Sequence, residues 1–261
     1  MKFLTGWHWI AGFIVSVMLS ACATQGGSDA TGSLGAEQKN SPAKIYVEMG
    51  MAYMRDNRNA VAMQKLKKAI EVDDGYADAH NVIAILYEKL GESDLAGKHY
   101  DRAVALNPKD PFIRNARGSY NCRLGKYEAA NDDFERALSN PLYPTPWVAL
   151  TNAGLCIERQ DKIDKAENYY RRALTANPKY APALIQMAGI SLQQNKNMSA
   201  RAYLERFHGE SKPTAASLLL GIRIERSMHD MAKAEEYRGQ LMQDFPDAPE
   251  IQSLYQMEKS Y

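Results

Sequence analysis

The chain has 261 residues, of which 45% are apolar and 24% are charged. A composition of this kind is typical of a soluble protein with a packed core. The 32 Lys and Arg residues nearly balance the 31 Asp and Glu residues, which excludes the broad basic surface that binding to nucleic-acid phosphates requires.

Residues 1–21 are predicted to be a lipoprotein signal peptide. Lys2 supplies the positive charge, and residues 10–19, IAGFIVSVML, form an apolar run that is too short to cross a bilayer. The residues that follow, Leu19-Ser20-Ala21-Cys22, match a bacterial lipobox. The signal therefore predicts export and cleavage in front of a cysteine.

Cys22 is the predicted lipidation site, the alternative being an unmodified cysteine at the cleavage position. Several acyl chains on one residue give durable membrane attachment, whereas a single chain is marginal. Residue 23 is Ala rather than Asp, which by analogy with other lipoproteins favours the outer membrane. We therefore expect a periplasm-facing protein that is anchored to the outer membrane by lipid.

Residues 22–42 are predicted to be a flexible tether. They are rich in Gly, Ser and Ala and have no apolar period, as in linkers that behave as random coils. A tether of this length spans roughly 25 Å, which holds the folded part close to the membrane.

From residue 43 to residue 261 the chain repeats every 34 residues, the period of the tetratricopeptide helix-turn-helix unit. A small residue recurs eight places into each unit, where the two helices must approach closely. The pattern predicts an all-α, right-handed superhelical solenoid. Its six units lie near residues 43–76, 77–110, 111–146, 147–180, 181–213 and about 214–248, and a capping helix follows at 249–261.

Two units depart from the pattern. In the third unit Arg114, Arg117 and Asn121 occupy places that are usually apolar, and an apolar stripe lies one residue earlier. We interpret this unit's first helix as rotated against its neighbours. The sixth unit has SMHD, residues 227–230, in place of the turn glycine, which predicts one additional residue there.

No catalytic arrangement is evident, and the sequence predicts a protein that is not an enzyme and uses no cofactor, metal or small-molecule substrate. Beyond the signal, the four histidines are interpreted as scattered over different units without partners at metal-ligand spacing; they are His80, His99, His208 and His229. The Asp pairs at 73–74 and 132–133 are interpreted as solvated faces of helices or turns, the alternative being a metal site.

The inner face of the early units is the candidate binding surface, because solenoids of this kind bind peptides there. Places 2, 5, 9 and 12 of the first two units nominate Lys44, Val47, Met51, Met54, Asp78, Asn81, Ile85 and Glu88. The thioethers of Met51 and Met54 suit an adaptable apolar groove, the alternative being that both side chains only pack in the core.

Cys122 and Cys156 are the two cysteines of the repeat region. An exported protein folds under oxidising conditions, and the two residues lie on the first helices of adjacent units, which pack side by side. We predict a disulfide between them, with two buried free thiols as the alternative. The link between these units, around PLYPTP, is two residues longer than the period.

Three segments carry a resemblance to a known family. They are ARGSYNCRLGKYEAA (116–130), NPLYPTPWVALTNAGLC (140–156) and RRALTANPKYAPALIQMA (171–188). Together with the lipobox, the tether and the six units, they resemble the PilF/PilW family of type IV pilus biogenesis and stability lipoproteins. The resemblance covers essentially the whole chain.

The resemblance implies a pilotin, a lipoprotein that helps the pilus secretin to reach the outer membrane and to assemble into its multimeric ring. The implied partners are a PilQ-like secretin and the outer membrane, with no nucleic acid. The alternative function is a general tetratricopeptide lipoprotein scaffold for other envelope machinery, such as cell-wall enzymes or outer-membrane protein assembly.

Overall fold

The computed structural model describes residues 41–259, which form thirteen α-helices and no β-strand. The all-α tetratricopeptide solenoid is therefore confirmed. The predicted signal peptide, Cys22 and most of the tether lie outside the described residues. The helices are α1 Ala43–Arg55, α2 Asn59–Val72, α3 Ala77–Lys89, α4 Ser93–Leu106, α5 Pro111–Arg123, α6 Tyr127–Leu138, α7 Pro146–Glu158, α8 Ile163–Ala176, α9 Ala181–Gln193, α10 Asn197–Glu210, α11 Ala215–Ser227, α12 Met231–Asp244 and α13 Pro249–Lys259.

The helices pair into six antiparallel units, α1 with α2 through α11 with α12, and α13 packs on the last unit. Four units begin at the predicted residue, the fourth begins at Pro146 rather than 147, and the sixth begins at Ala215 rather than about 214. The second helix of each unit also contacts the first helix of the next. Because no unit can bury its apolar face alone, this stacking creates the core.

A glycine in the first helix lets the second helix of the same unit pack against its backbone. Gly154 of α7 faces Tyr170 of α8, and a Cβ atom on Gly154 would lie 2.5 Å from a ring carbon of this fully buried tyrosine. Gly50, Gly118 and Gly221 face Leu66, Phe134 and Tyr237 in the same way, each sixteen residues further along the chain. The repeated small residue is therefore a packing requirement.

The turns between paired helices use a left-handed residue in each unit. Gly91 and Gly125 adopt positive φ, as their residue type favours. Asn57, Asp161, Asn195 and His229 fill the same role in the other units. His229 follows Gly221 by eight residues, whereas the other left-handed residues follow their small residue by seven, which is consistent with the additional residue predicted in the sixth unit.

The third unit is not rotated, and this interpretation is wrong. Gly118 faces Phe134 just as Gly154 faces Tyr170, so α5 has the usual orientation. The polar side chains at the usually apolar places converge instead on Asp133 of α6, which is fully buried. A charged network therefore replaces apolar packing inside this unit.

Asp133 accepts hydrogen bonds from three side chains of α5. Arg114 Nη1 donates to its carboxylate at 2.8 Å, Arg117 donates through Nε and Nη2 at 2.8 Å each, and Asn121 Nδ2 donates at 3.2 Å. The interpretation of residues 132–133 as a solvated face therefore holds for Asp132 but is wrong for Asp133. Burial of a carboxylate requires such pairing, because an unpaired buried charge is strongly unfavourable.

We predict that Gly154→Ala lowers the free energy of unfolding by about 1–3 kcal/mol, because the added methyl group overpacks against Tyr170. Gly189→Ala in α9 is the matched control, since no atom beyond its chain neighbours and the backbone of its own helix lies within 4 Å of the position that its added Cβ atom would occupy. The control should be neutral or stabilising by less than about 1 kcal/mol. Chemical denaturation measures both, and equal losses would contradict the packing role of Gly154.

We predict that Asp133→Ala lowers the free energy of unfolding by about 3–5 kcal/mol, because it leaves Arg114 and Arg117 without their shared carboxylate. The neighbouring Asp132→Ala should cost less than about 1 kcal/mol, since Asp132 forms an exposed pair with Arg136. Urea denaturation measures the free energy of unfolding of both variants. Similar decreases in the two would show that the Asp133 network stabilises the fold no more than an exposed ion pair does.

Candidate functional site

A groove lies on the inner face of the first three units, with a volume of about 820 Å³. This volume is within the range of ligand-binding clefts. Its lining comes from α1, α3, the start of α5 and the links between these units. The lining residues are Lys44, Val47, Glu48, Met51, Tyr76, Asp78, Asn81, Val82, Asn107, Asp110 and Phe112.

Five of the eight nominated residues line this groove, namely Lys44, Val47, Met51, Asp78 and Asn81. Met51 is 37% exposed, so its thioether is accessible within the groove. Met54 packs against the core of the first two units. For this residue the structure favours the alternative of core packing over a place in the groove. The structure therefore separates the two methionines: Met51 lies on the groove, and Met54 is half-buried against the core.

Ile85 and Glu88 do not line the groove. Glu88 binds Arg123 of the next unit through a bidentate ion pair with contacts of 2.7–2.9 Å. The Tyr100 hydroxyl also donates to Glu88 at 2.6 Å. This carboxylate therefore connects units two and three.

Phe112 is a groove residue that the sequence interpretation omitted. It occupies the second place of the third unit, the place of Lys44 and Asp78 in the first two units, so the same rule applied to one more unit would have found it. Phe112 is 49% exposed. Asn107 and Asp110 come from the link before α5, where helical periodicity carries no information.

The lengthened link between the third and fourth units supports this wall of the groove. Tyr143 of the link is buried and contacts the Phe112 ring edge-on, with the ring centroids 5.2 Å apart. The link is also held by Asn140, whose Oδ1 accepts from the backbone N–H of Leu142 at 2.9 Å. The added residues thus place an aromatic side chain behind Phe112.

The groove carries an excess of negative charge. Glu48, Asp78 and Asp110 contribute three carboxylates, and Lys44 contributes one ammonium group. The Asp78 side chain reaches solvent. Its partial desolvation by neighbouring atoms and the nearby charge of Asp110 raise the pKa of its carboxyl group, although a hydrogen bond from Tyr76 acts to lower this pKa. Two carboxylates that share a confined space favour a cationic ligand.

His80 and His99 form a pair that the sequence interpretation missed. Both belong to the second unit, so their assignment to different units is wrong, and their Nδ1 atoms lie 3.0 Å apart. His80 Nε2 lies 3.0 Å from the carbonyl oxygen of Asp74, to which it donates in the neutral tautomer. Burial and the proximity of His80 lower the pKa of His99, against the effect of the Asp74 carboxylate, and the two rings stack with their centroids 5.2 Å apart.

Cys122 of α5 and Cys156 of α7 are joined by a disulfide, with Cα atoms 5.7 Å apart. Both residues are buried, and they pack with Ala130, Phe134 and Ala153. The bond connects the first helices of the third and fourth units, across the lengthened link. It therefore restrains the stacking of the units on either side of Tyr143.

We predict that the double variant Cys122→Ala/Cys156→Ala lowers the free energy of unfolding by about 3–4 kcal/mol, since the bond closes a loop with a sequence separation of 34. Alkylation in denaturant tests the bond itself, because unfolding exposes both positions. Neither cysteine should react before reduction, and both should react afterwards. Alkylation of either one in the unreduced chain would contradict the bond.

Within residues 41–259, no three His, Cys, Asp or Glu side chains are grouped so that they could hold a metal ion. In the same part of the chain, no helix combines the length and apolar character needed to cross a membrane.

The tetratricopeptide repeat family model matches residues 47–111 and 116–181, half of the chain. The chain therefore belongs to the tetratricopeptide repeat family. It is homologous to the type IV pilus assembly protein PilF of Pseudomonas aeruginosa, with 28% identity over 248 residues that cover 95% of this chain and 97% of PilF.

Two solved structures extend this similarity to three dimensions. The crystal structure of PilW, described as a widely conserved type IV pilus biogenesis factor, has a TM-score of 0.75 and 29% identity, covering 83% of this chain and 99% of the PilW chain. A structure of Pseudomonas aeruginosa PilF has a TM-score of 0.74 and 28% identity, covering 85% of this chain and 99% of the PilF chain. The resemblance to the PilF/PilW family is confirmed.

Proposed function

We propose that this protein is a non-enzymatic assembly factor for type IV pili, a lipid-anchored pilotin that promotes the outer-membrane localisation and multimerisation of the pilus secretin. The observation that carries the proposal is similarity to PilF over almost the full length of both chains. Similarity confined to a few repeat units would be shared with many unrelated scaffolds, whereas this similarity covers 95% of this chain and 97% of PilF.

The inner groove is the proposed site of client binding. It combines exposed apolar side chains, Met51 and Phe112, with polar groups that are positioned by helices and by a supported link. Rigid presentation of this kind lowers the entropy that a protein loses on binding. The groove and the disulfide-restrained stack therefore provide a preformed surface for a segment of the secretin.

The proposed anchor is an acylated Cys22, followed by the tether of residues 22–42. The predicted tether ends directly before α1, which begins at Ala43, and α1 forms one wall of the groove. A client bound in this groove would be held within the tether's reach of the membrane. Attachment and client binding are thus proposed for the same end of the solenoid.

We predict that deletion of the gene abolishes or strongly reduces secretin multimers in the outer membrane, as measured by membrane fractionation and gel electrophoresis without heating. Expression of the wild-type protein should restore them. Normal multimers in the deletion strain would contradict the proposed function.

Cys22→Ser supplies a separate test of the anchor within the same complementation experiment. This variant should leave the outer-membrane fraction and should fail to restore normal secretin localisation, because the acceptor of the acyl chain is absent. Retention of the variant in the outer membrane would contradict lipidation at Cys22, with no bearing on the groove.

A further inference from the structure

We propose that the inner groove of the first three units binds a protein segment in which basic side chains flank a large apolar side chain. The proposal rests on the proposed function, in which the groove holds a client, and it defines the chemistry of that client. Two features of the groove favour such a segment: its charge and its exposed apolar side chains.

The negative charge of the groove is only partly compensated within the protein. The Asp110 carboxylate caps α5 by accepting hydrogen bonds from the backbone N–H groups of Phe112 at 2.8 Å and Ile113 at 3.1 Å. Lys44 is the one cationic side chain that lines the groove. Its Nζ atom lies 3.9 Å from Glu48 Oε1, and both side chains are more than half exposed. Among residues 41–259, no Lys, Arg or His side chain forms an ion pair with Asp78 or Asp110. A Lys or Arg side chain of a bound segment would provide the absent countercharge.

The charge excess is local to this groove. A second cavity of about 430 Å³ on the later units is lined by one carboxylate, Glu158, and one guanidinium group, Arg223, together with glutamine and apolar side chains. The chain beyond the signal is also balanced in charge. The acidic character of the first groove is therefore a feature of this site and not of the solenoid as a whole.

Asn81 adds a hydrogen-bond acceptor without a donor. Its Oδ1 atom is buried and has no hydrogen-bond partner among the described residues, and its side chain lines the groove. Buried polar atoms are satisfied in the large majority of cases. Because this atom is itself buried, a donor of a bound segment would reach it only after the Asn81 side chain rotated, so the chemistry of the ligand follows from the charge and the apolar lining of the groove.

The apolar lining of the groove favours a large apolar side chain in the bound segment. Val47 and Val82 are buried beneath the surface of the groove, whereas Met51 and Phe112 are exposed on it. A large aliphatic or aromatic side chain that covers Met51 and Phe112 would remove their apolar surface from water. The adaptable thioether of Met51 fits side chains of different shape.

The test uses the full-length lipoprotein, purified in detergent, and two fluorescent peptides of equal length and equal apolar content. In one peptide lysines flank a central leucine and phenylalanine, and in the other glutamates replace the lysines. Fluorescence anisotropy should show binding of the lysine peptide that weakens with added salt, and much weaker binding of the glutamate peptide. Equal binding of the two peptides would overturn the proposal.

Matched variants locate the interaction in the groove. Asp78→Asn should weaken binding of the lysine peptide about fivefold, and Lys44→Gln should strengthen it by about twofold, as expected for single charge changes at a partly exposed site. Asp164→Asn is the control, because Asp164 also lies in the first turn of a helix but does not line the groove. Equal effects of Asp78→Asn and Asp164→Asn would overturn the proposal.

The peptide-binding experiment and the gene-deletion experiment test different claims, so either claim can fail alone. Selective binding of the lysine peptide together with normal secretin multimers in the deletion strain would overturn the pilotin assignment and leave the chemistry of the groove intact. Equal binding of both peptides together with defective secretin assembly in the deletion strain would overturn the chemistry of the groove alone.

Discussion

Close contact between the two helices of each unit is the constraint on which the rest of this structure depends. In four units a glycine lies against a large side chain sixteen residues later, and no Cβ atom fits between them. The contact fixes the angle between the paired helices and therefore the surface that each unit offers to the next. Because the same contact recurs along the chain, the units stack into a solenoid whose inner face is continuous.

The third unit meets the same constraint with different chemistry. Gly118 keeps the close contact with Phe134, while the surrounding apolar side chains are replaced by arginines that converge on buried Asp133. Directional hydrogen bonds of this kind require a defined geometry, unlike apolar packing. The unit that contributes Phe112 to the groove is thus held internally by Asp133 and externally by the disulfide and the lengthened link.

The repeat could be predicted from the sequence because each unit repeats its small and large residues at a fixed spacing. Five of the groove residues followed from the same spacing, since places on a helix face are periodic. Asp110 and Tyr143 could not be predicted in this way, because they lie in links whose conformation depends on what packs against them. Asp133 and the His80–His99 pair were misinterpreted because burial of a polar side chain is decided by a partner on another helix.

We propose that the inner face of the first units binds the secretin. Incorporation of a photo-crosslinking amino acid at position 51 in whole cells tests it most directly, with position 198 as the control. Met198 is 70% exposed but does not line the groove. We expect a secretin adduct from position 51 and none from position 198. No secretin adduct from position 51, or equal adducts from both positions, would contradict it.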